Sequence, residues 1–201
     1  MHEHEVSKVV KKTFGKVFVD VGANVGYYSL LLKDNFEVIY SFEPAKEPFK
    51  RLCKNLQCFK AYNVKPIMKA VSDVNGKLKL FLTEYGGYHR LICGKQFVSK
   101  SLVNHPKVPK ILSSEVVDVV TLSSFFSNTK IDLVKVDVEG TEWQVLRGTE
   151  PIAENIKRWI VEMHDPKRKG EMEEWFVSHG YNFKWIDFRG KTANHIYAWR
   201  N

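Results

Sequence analysis

Asp20 stands two positions before a turn, Gly22-Ala-Asn-Val-Gly26, in the run FVDVGANVGYYSL from 18 to 30. A glycine turn between an apolar strand and a helical run is a nucleotide-cofactor pattern, because glycine lets backbone approach a ligand closely. A dinucleotide fold would show G-x-G-x-x-G, and its pyrophosphate would be repelled by Asp20. S-adenosylmethionine has no phosphate, and its sulfonium and ammonium favour a nearby carboxylate. Its own carboxylate can lie toward the helix N-terminus opening at Tyr27. Asp20, Gly22, Asn24 and Gly26 are therefore candidate contacts for this cationic cofactor. Glu43 ends the next apolar run, where an acid accepts hydrogen bonds from both ribose hydroxyls. Val71, Ser72 and Asp73 follow a third run. Asp73 either faces the adenine amino group or serves the turn SDVNG.

A second group of polar residues sits in the other half. Lys135, Asp137 and Glu139 share one side of a strand if it stays extended, and so do Glu162 and His164 on the next. A hydroxyl acceptor is too weak an acid to lose its proton unaided at neutral pH. A base or a cation would help. Asp137, Glu139 and His164 are the candidate catalytic residues, and Asp137 also counts as a cofactor contact. His164 titrates near neutrality when unperturbed, which suits a base. Asp137 with Glu139 or His164 could instead hold Mg²⁺. Against this, His164 precedes Asp165-Pro166 and could simply satisfy a turn. Glu142 could simply favour a helix N-terminus. Tyr27, Tyr28, Tyr85, Tyr88 and Trp143 could line an acceptor pocket, although aromatics at helical spacing are more often core.

These residues need a frame. Strands alternate with helical patterns: KVFVDV (16–21), EVIYSF (37–42), VKPIMKAV (64–71), KLKLFL (77–82), EVVDVVTL (115–122), IDLVKVDV (131–138) and RWIVEMH (158–164) read as strands. YYSLLLKD (27–34), AKEPFKRLCKNLQ (45–57), TEWQVLRG (141–148) and KGEMEEWFVSHG (169–180) read as helices, the last two ending at Gly148 and Gly180. NFKWIDF and HIYAWR form a final hairpin. The pattern predicts a mostly parallel sheet with helices on both faces, with ligands at the carboxyl ends of its strands. One domain is expected over 1–201, with a helical or flexible extension at 1–15 and an irregular insertion at 84–113 that could contact substrate.

The chain has 201 residues, 44% of them hydrophobic, enough for a sizeable core. No apolar run approaches the roughly 18 residues of a membrane span. MHEHEVSKVVKK lacks the apolar region of a signal peptide. A soluble, cytoplasmic protein is expected. Cys53, Cys58 and Cys93 are too few for a disulfide framework and read as buried reduced thiols. The net charge of +8 is uneven: Lys65, Lys69, Lys77, Lys79, Arg90, Lys95, Lys100, Lys107 and Lys110 face only Asp73 and Glu84 over 65–110. Such a stretch either attracts nucleic acid or is a set of solvated lysines.

Five segments together resemble the FkbM-type methyltransferases: FVDVGANVGYYSLLL, SFEPAKEPFKRLCKNL, KAVSDVNGKLKL, IDLVKVDVEGTEWQVLRG and IVEMH. The resemblance covers about residues 16 to 165. KVDVEGTEWQVLRG is similar to the family's K-I-D-x-E-G-x-E-x-x-x-L-x-G. It implies a class I methyltransferase (Rossmann-like) fold with a seven-stranded, mostly parallel sheet. It also implies S-adenosylmethionine as cofactor and O-methylation of a small-molecule or glycan acceptor, such as a sugar hydroxyl. An RNA methyltransferase using the basic 65–110 stretch, and a cofactor-binding protein without catalysis, are the other readings. The sequence leaves the acceptor atom, the metal and the oligomeric state open.

Overall fold

A computed structural model describes residues 4–83, 90–92, 110–186 and 194–201. The main sheet has seven strands in the order β10-β11-β9-β8-β1-β2-β3. These are β1 (Gly15–Val21), β2 (Phe36–Phe42), β3 (Val64–Ile67), β8 (Leu133–Val136), β9 (Arg158–Glu162), β10 (Asn182–Ile186) and β11 (His195–Trp199). β3, β2, β1, β8 and β9 pair in parallel, and β11 runs antiparallel to β9 and β10. The expected parallel sheet and C-terminal hairpin are both present.

Strand β1 shows how the sequence builds this layer. Val17, Val19 and Val21 face one apolar cluster and Phe18 faces another, so both sheet faces are buried. That explains the unbroken apolar runs, because a parallel sheet is covered on both sides. Helices Tyr27–Leu31 and Lys46–Cys58 contribute Tyr28, Leu52 and Leu56 to one cluster. Helices Glu142–Thr149 and Lys169–Ser178 contribute Val145, Leu146, Trp175 and Phe176 to the other. A further helix, His4–Val10, lies in the N-terminal extension and buries Val6 and Val10. Among the described residues no helix is long and apolar enough to cross a membrane.

Four expectations need correction. VKPIMKAV is not one strand. The Ile67 carbonyl accepts from both Glu43 N–H and Lys69 N–H, so the chain turns there and leaves the main sheet. Beyond it a second sheet forms in the order β4-β7-β5-β6, from Ala70–Val71, Ile111–Val120, Gly76–Thr83 and Arg90–Ile92. The 84–113 insertion is therefore partly strand, at 90–92 and from Ile111 onward; 84–89 and 93–109 lie outside the described residues.

Gly148 does not stop its helix, which runs on to Thr149. An added Cβ there would lie 2.0 Å from the Ser72 carbonyl oxygen, so this glycine allows close packing instead. Cys58 is exposed and Cys53 only half-buried, contrary to the expected buried thiols, while Cys93 is outside the described residues.

Candidate active site

At the carboxyl end of β1 the chain turns through Gly22, Asn24 and Gly26, all at positive φ (78°, 49° and 92°). Glycine tolerates this region, and asparagine more than most. Gly22 N–H and Ala23 N–H both donate to the Phe42 carbonyl, tying the turn to the end of β2. The close approach that Gly22 permits is to protein: an added Cβ would sit 1.8 Å from the Asp137 carbonyl oxygen.

Glu43 is buried beside this turn. Its Oε2 accepts from Asn24 N–H at 2.9 Å and its Oε1 from Ala45 N–H at 2.8 Å. Burial pushes its carboxyl up to about 7, against those two hydrogen bonds.

A cleft opens between the turn and the second sheet. Gly22, Asn24, Glu43, Val71, Asp137 and Glu139 line it, so six of the candidate residues meet there. Lys69 and Leu80, which the sequence did not single out, complete the wall. They could not be found by strand-end reasoning, because the second sheet was not foreseen.

Asp20 is placed differently. It shares the Phe18 face of β1 and is 1% exposed, under the Tyr27–Leu31 helix. Its Oδ2 accepts from the Ser29 hydroxyl at 2.6 Å, and Ser41 Oγ lies 2.7 Å from Ser29 Oγ. Lys135 and Ser41 are its cross-strand neighbours. Burial raises its pKa, and Lys135 opposes the rise. Its Oδ1 is buried with no hydrogen-bond partner among the described residues. Asp20 thus underlies the turn and does not line the cleft. The Tyr27–Leu31 helix has five residues, too short for much of a dipole at its N-terminus.

Ser72 is fully buried and donates its N–H to the Val120 carbonyl. Asp73 pairs with Arg147, and Ser72 Oγ donates to Asp73 Oδ1 at 3.1 Å. The carboxylate is engaged by protein, which favours the turn reading of Asp73 over the adenine one.

At the ends of β8 and β9 the second polar group assembles. Strand β8 stops at Val136 and Glu139 has φ 56°, so strict alternation fails beyond Asp137. The side chains still converge. Lys135, 3% exposed, holds Asp137 Oδ2 at 3.2 Å and lies 4.7 Å from the Tyr28 ring centroid. His164 Nε2 is 3.4 Å from Glu139 Oε2, 3.8 Å from Glu162 Oε1 and 4.0 Å from Asp137 Oδ1. Its Nδ1 meets Glu142 Oε1 at 2.8 Å. Burial alone would lower the His164 pKa, but Glu142, Glu139 and Glu162 outweigh it and push it up to about 10.

These acidic surroundings favour the protonated ring. A base role for His164 would have to overcome that preference, which Glu139, Glu142 and Glu162 create together. Glu142 is part of this group and not only a helix N-terminal acid. Glu162 is held down at about 2: burial would raise it, but His195, His164 and Lys135 outweigh burial. His195, opposite Glu162 on β11, was not singled out; alternation on the hairpin was the available signal.

Among the described residues, Tyr27, Tyr28 and Trp143 do not line the cleft. Tyr28 is buried beneath Lys135, Tyr27 is 55% exposed, and Trp143 packs against Arg168. Tyr85 and Tyr88 lie outside the described residues.

The family model for the methyltransferase FkbM domain matches residues 20–183. The chain belongs to the FkbM methyltransferase family. A protein of Beauveria bassiana named Methyltransferase 1 is 30% identical over 165 residues, covering 74% of this chain and 65% of that one. The hexuronic acid methyltransferase AglP of Haloferax volcanii is 28% identical over 156 residues, covering 75% and 58%. The crystal structure of methyltransferase FkbM from Methylobacillus flagellatus superposes with a TM-score of 0.65 at 14% identity, covering 93% of this chain and 44% of that one. This chain thus spans less than two thirds of the length of each. The class I methyltransferase fold expected from the sequence is the fold observed.

Proposed function

We propose that this chain transfers the methyl group of S-adenosylmethionine to a hydroxyl of a sugar or another small metabolite. The observation that carries this reading is that Asp137 belongs to two places at once. It lines the cleft with Glu43 and the Gly22 turn, and it also faces His164. Donor and acceptor chemistry therefore share one carboxylate.

The cleft suits this cofactor. Among the described residues Glu43, Asp137 and Glu139 line it against a single lysine, Lys69, and such an acidic wall would disfavour a pyrophosphate and suit a sulfonium and an ammonium. Beneath this wall Asp20 Oδ1 is a buried acceptor without a partner among the described residues. Bound there, S-adenosylmethionine supplies the methyl carbon: the acceptor oxygen bonds to it, the carbon–sulfur bond breaks with its electrons staying on sulfur, and S-adenosylhomocysteine is released. Glu43 holds the ribose hydroxyls, Gly22 and Asn24 shape the wall, and Val71 offers an apolar surface to the adenine. Asp137 receives a hydrogen bond from the acceptor hydroxyl, aligns its oxygen and takes its proton as the methyl group is transferred. A divalent cation at the acidic end of the cleft would ease loss of the hydroxyl proton. The relative named for hexuronic acid supports a sugar acceptor.

Methyl transfer from labelled S-adenosylmethionine to pooled sugars, metabolites and RNA tests this. Label is expected in a sugar or metabolite fraction. Label in RNA alone would favour the nucleic-acid reading, and cofactor binding without label anywhere would favour a non-catalytic one.

Two further results are expected at Glu43. Glu43→Gln should weaken cofactor binding by about 1.5–3 kcal/mol, the range for hydrogen bonds to a charged group. In the free chain its carboxyl titrates near 7, and ribose hydroxyls donate best to the ionised form. Cofactor affinity should therefore rise with pH up to about 7 and level off above it; the Gln variant should lose that dependence. Calorimetry from pH 6 to 8 checks both, and a pH-independent wild type would contradict the assignment. Glu43→Ala would also cost stability, because it strips the Asn24 and Ala45 N–H groups of their acceptors. Each such loss is worth about 1–3 kcal/mol.

A further inference from the structure

Three side chains at the ends of two neighbouring strands each offer a metal-ligating atom to one shared volume. The atoms of Asp137, Glu162 and His164 all lie within 4.8 Å of one another. His164 Nε2 is 4.0 Å from Asp137 Oδ1 and 3.8 Å from Glu162 Oε1. An octahedral ion with bonds of about 2.1 Å spaces neighbouring ligands by about 3.0 Å and opposite ones by about 4.2 Å. Both spacings to His164 Nε2 lie between those two values, so an ion would draw the side chains together by up to about 1 Å.

The surroundings aim these atoms. Glu142 Oε1 accepts the Gly140 N–H at 2.8 Å and sits 2.8 Å from His164 Nδ1. Nδ1 is thereby the donor, and Nε2 faces Asp137 and Glu162, with Glu139 Oε2 nearer still at 3.4 Å. A carboxylate behind a histidine is the usual device for fixing which nitrogen faces a metal. Glu162 is braced in the same way: Asn194 Nδ2 donates to Oε1 at 3.1 Å, and His195 Nε2 lies 3.3 Å from Oε2. Each of the three ligand side chains keeps about a fifth of its surface open, so an acceptor can reach the site. Two carboxylates and one imidazole, with no thiolate, suit a hard divalent ion.

We infer that Asp137, Glu162 and His164 hold a divalent cation of the Mg²⁺ and Mn²⁺ class, placed to make the acceptor hydroxyl more acidic. The inference rests on the reading of the adjoining cleft as the methyl-donor site. The cation replaces the proton on His164 Nε2, in a pocket whose carboxylates favour positive charge. Its role would be that of a Lewis acid and template for the acceptor oxygen.

Mn²⁺ binding to the full chain, followed by the electron paramagnetic resonance of the free ion with S-adenosylhomocysteine present, tests the inference. One Mn²⁺ per chain is expected, displaced by Mg²⁺. Glu162→Gln keeps the side chain's shape and should weaken Mn²⁺ binding at least about tenfold. Its affinity for S-adenosylhomocysteine, read by calorimetry, should stay near wild type, which also shows that it is folded. Chelator should abolish methyl transfer by the wild type and Mg²⁺ should restore it. No Mn²⁺ bound by a chain that does bind S-adenosylhomocysteine would overturn the inference and leave the donor reading standing. Equal Mn²⁺ affinity in the Gln variant would overturn it too. Failure to bind S-adenosylhomocysteine would instead sink the donor reading.

Discussion

Asp137→Asn is expected to slow methyl transfer by about 10²–10⁴-fold, the range for loss of a positioned acid–base group. Asp137 faces the cleft and also lies 4.0 Å from His164 Nε2, so its charge serves the acceptor end whether it takes a hydrogen bond or holds a cation. The amide keeps an oxygen for Lys135, which sits 3.2 Å from Oδ2 and is almost fully buried. Losing that partner altogether would leave a buried ammonium poorly compensated, which is why asparagine is the better probe than alanine. The fall should appear in kcat and exceed any loss of cofactor affinity that one fewer carboxylate in the cleft brings. A kcat equal to wild type would remove Asp137 from the chemistry.

Gly148→Ala should destabilise the fold by about 3 kcal/mol, at the upper end of overpacking costs. The sign is the informative part. A glycine-to-alanine change in a helix interior normally gains about 1 kcal/mol. Here the new methyl would lie 2.0 Å from the Ser72 carbonyl oxygen and 3.0 Å from Asp73 Cα. Both are backbone atoms, and the Ser72 N–H is fixed to Val120. The neighbours cannot swing aside as a flexible side chain would, so the helix must shift. Urea unfolding reads the difference, and a stabilised variant would show that this contact is loose.

That glycine illustrates where sequence reasoning stops. Its position at the end of a helical run suggested a stop signal, but its role depends on Ser72, a segment distant in the chain. The parallel sheet was legible because most of its strands are short apolar runs, and runs such as β1 are buried on both faces. The second sheet was not, because it pairs Ala70 with Val119 and Leu80 with Glu115 across long separations. Nothing local marks those partners.

The site divides in the same way. Strand ends pointed to Glu43, Val71 and Asp137, and all three line the cleft. Asp20 was read toward the ligand, although period-two alternation puts it on the face of Phe18, toward the core. His164 was read as a base from its ordinary pKa. Its actual setting is made by Glu139, Glu142 and Glu162, which come from a loop, a helix start and a strand end. Only their assembly raises the ring to about 10.

Calorimetric titration of the purified chain with S-adenosylmethionine, S-adenosylhomocysteine and NAD tests the reading of the cleft most directly. The three carboxylates in its wall predict one-to-one binding of both sulfur compounds and no measurable binding of NAD. Tight NAD binding with neither sulfur compound bound would contradict it.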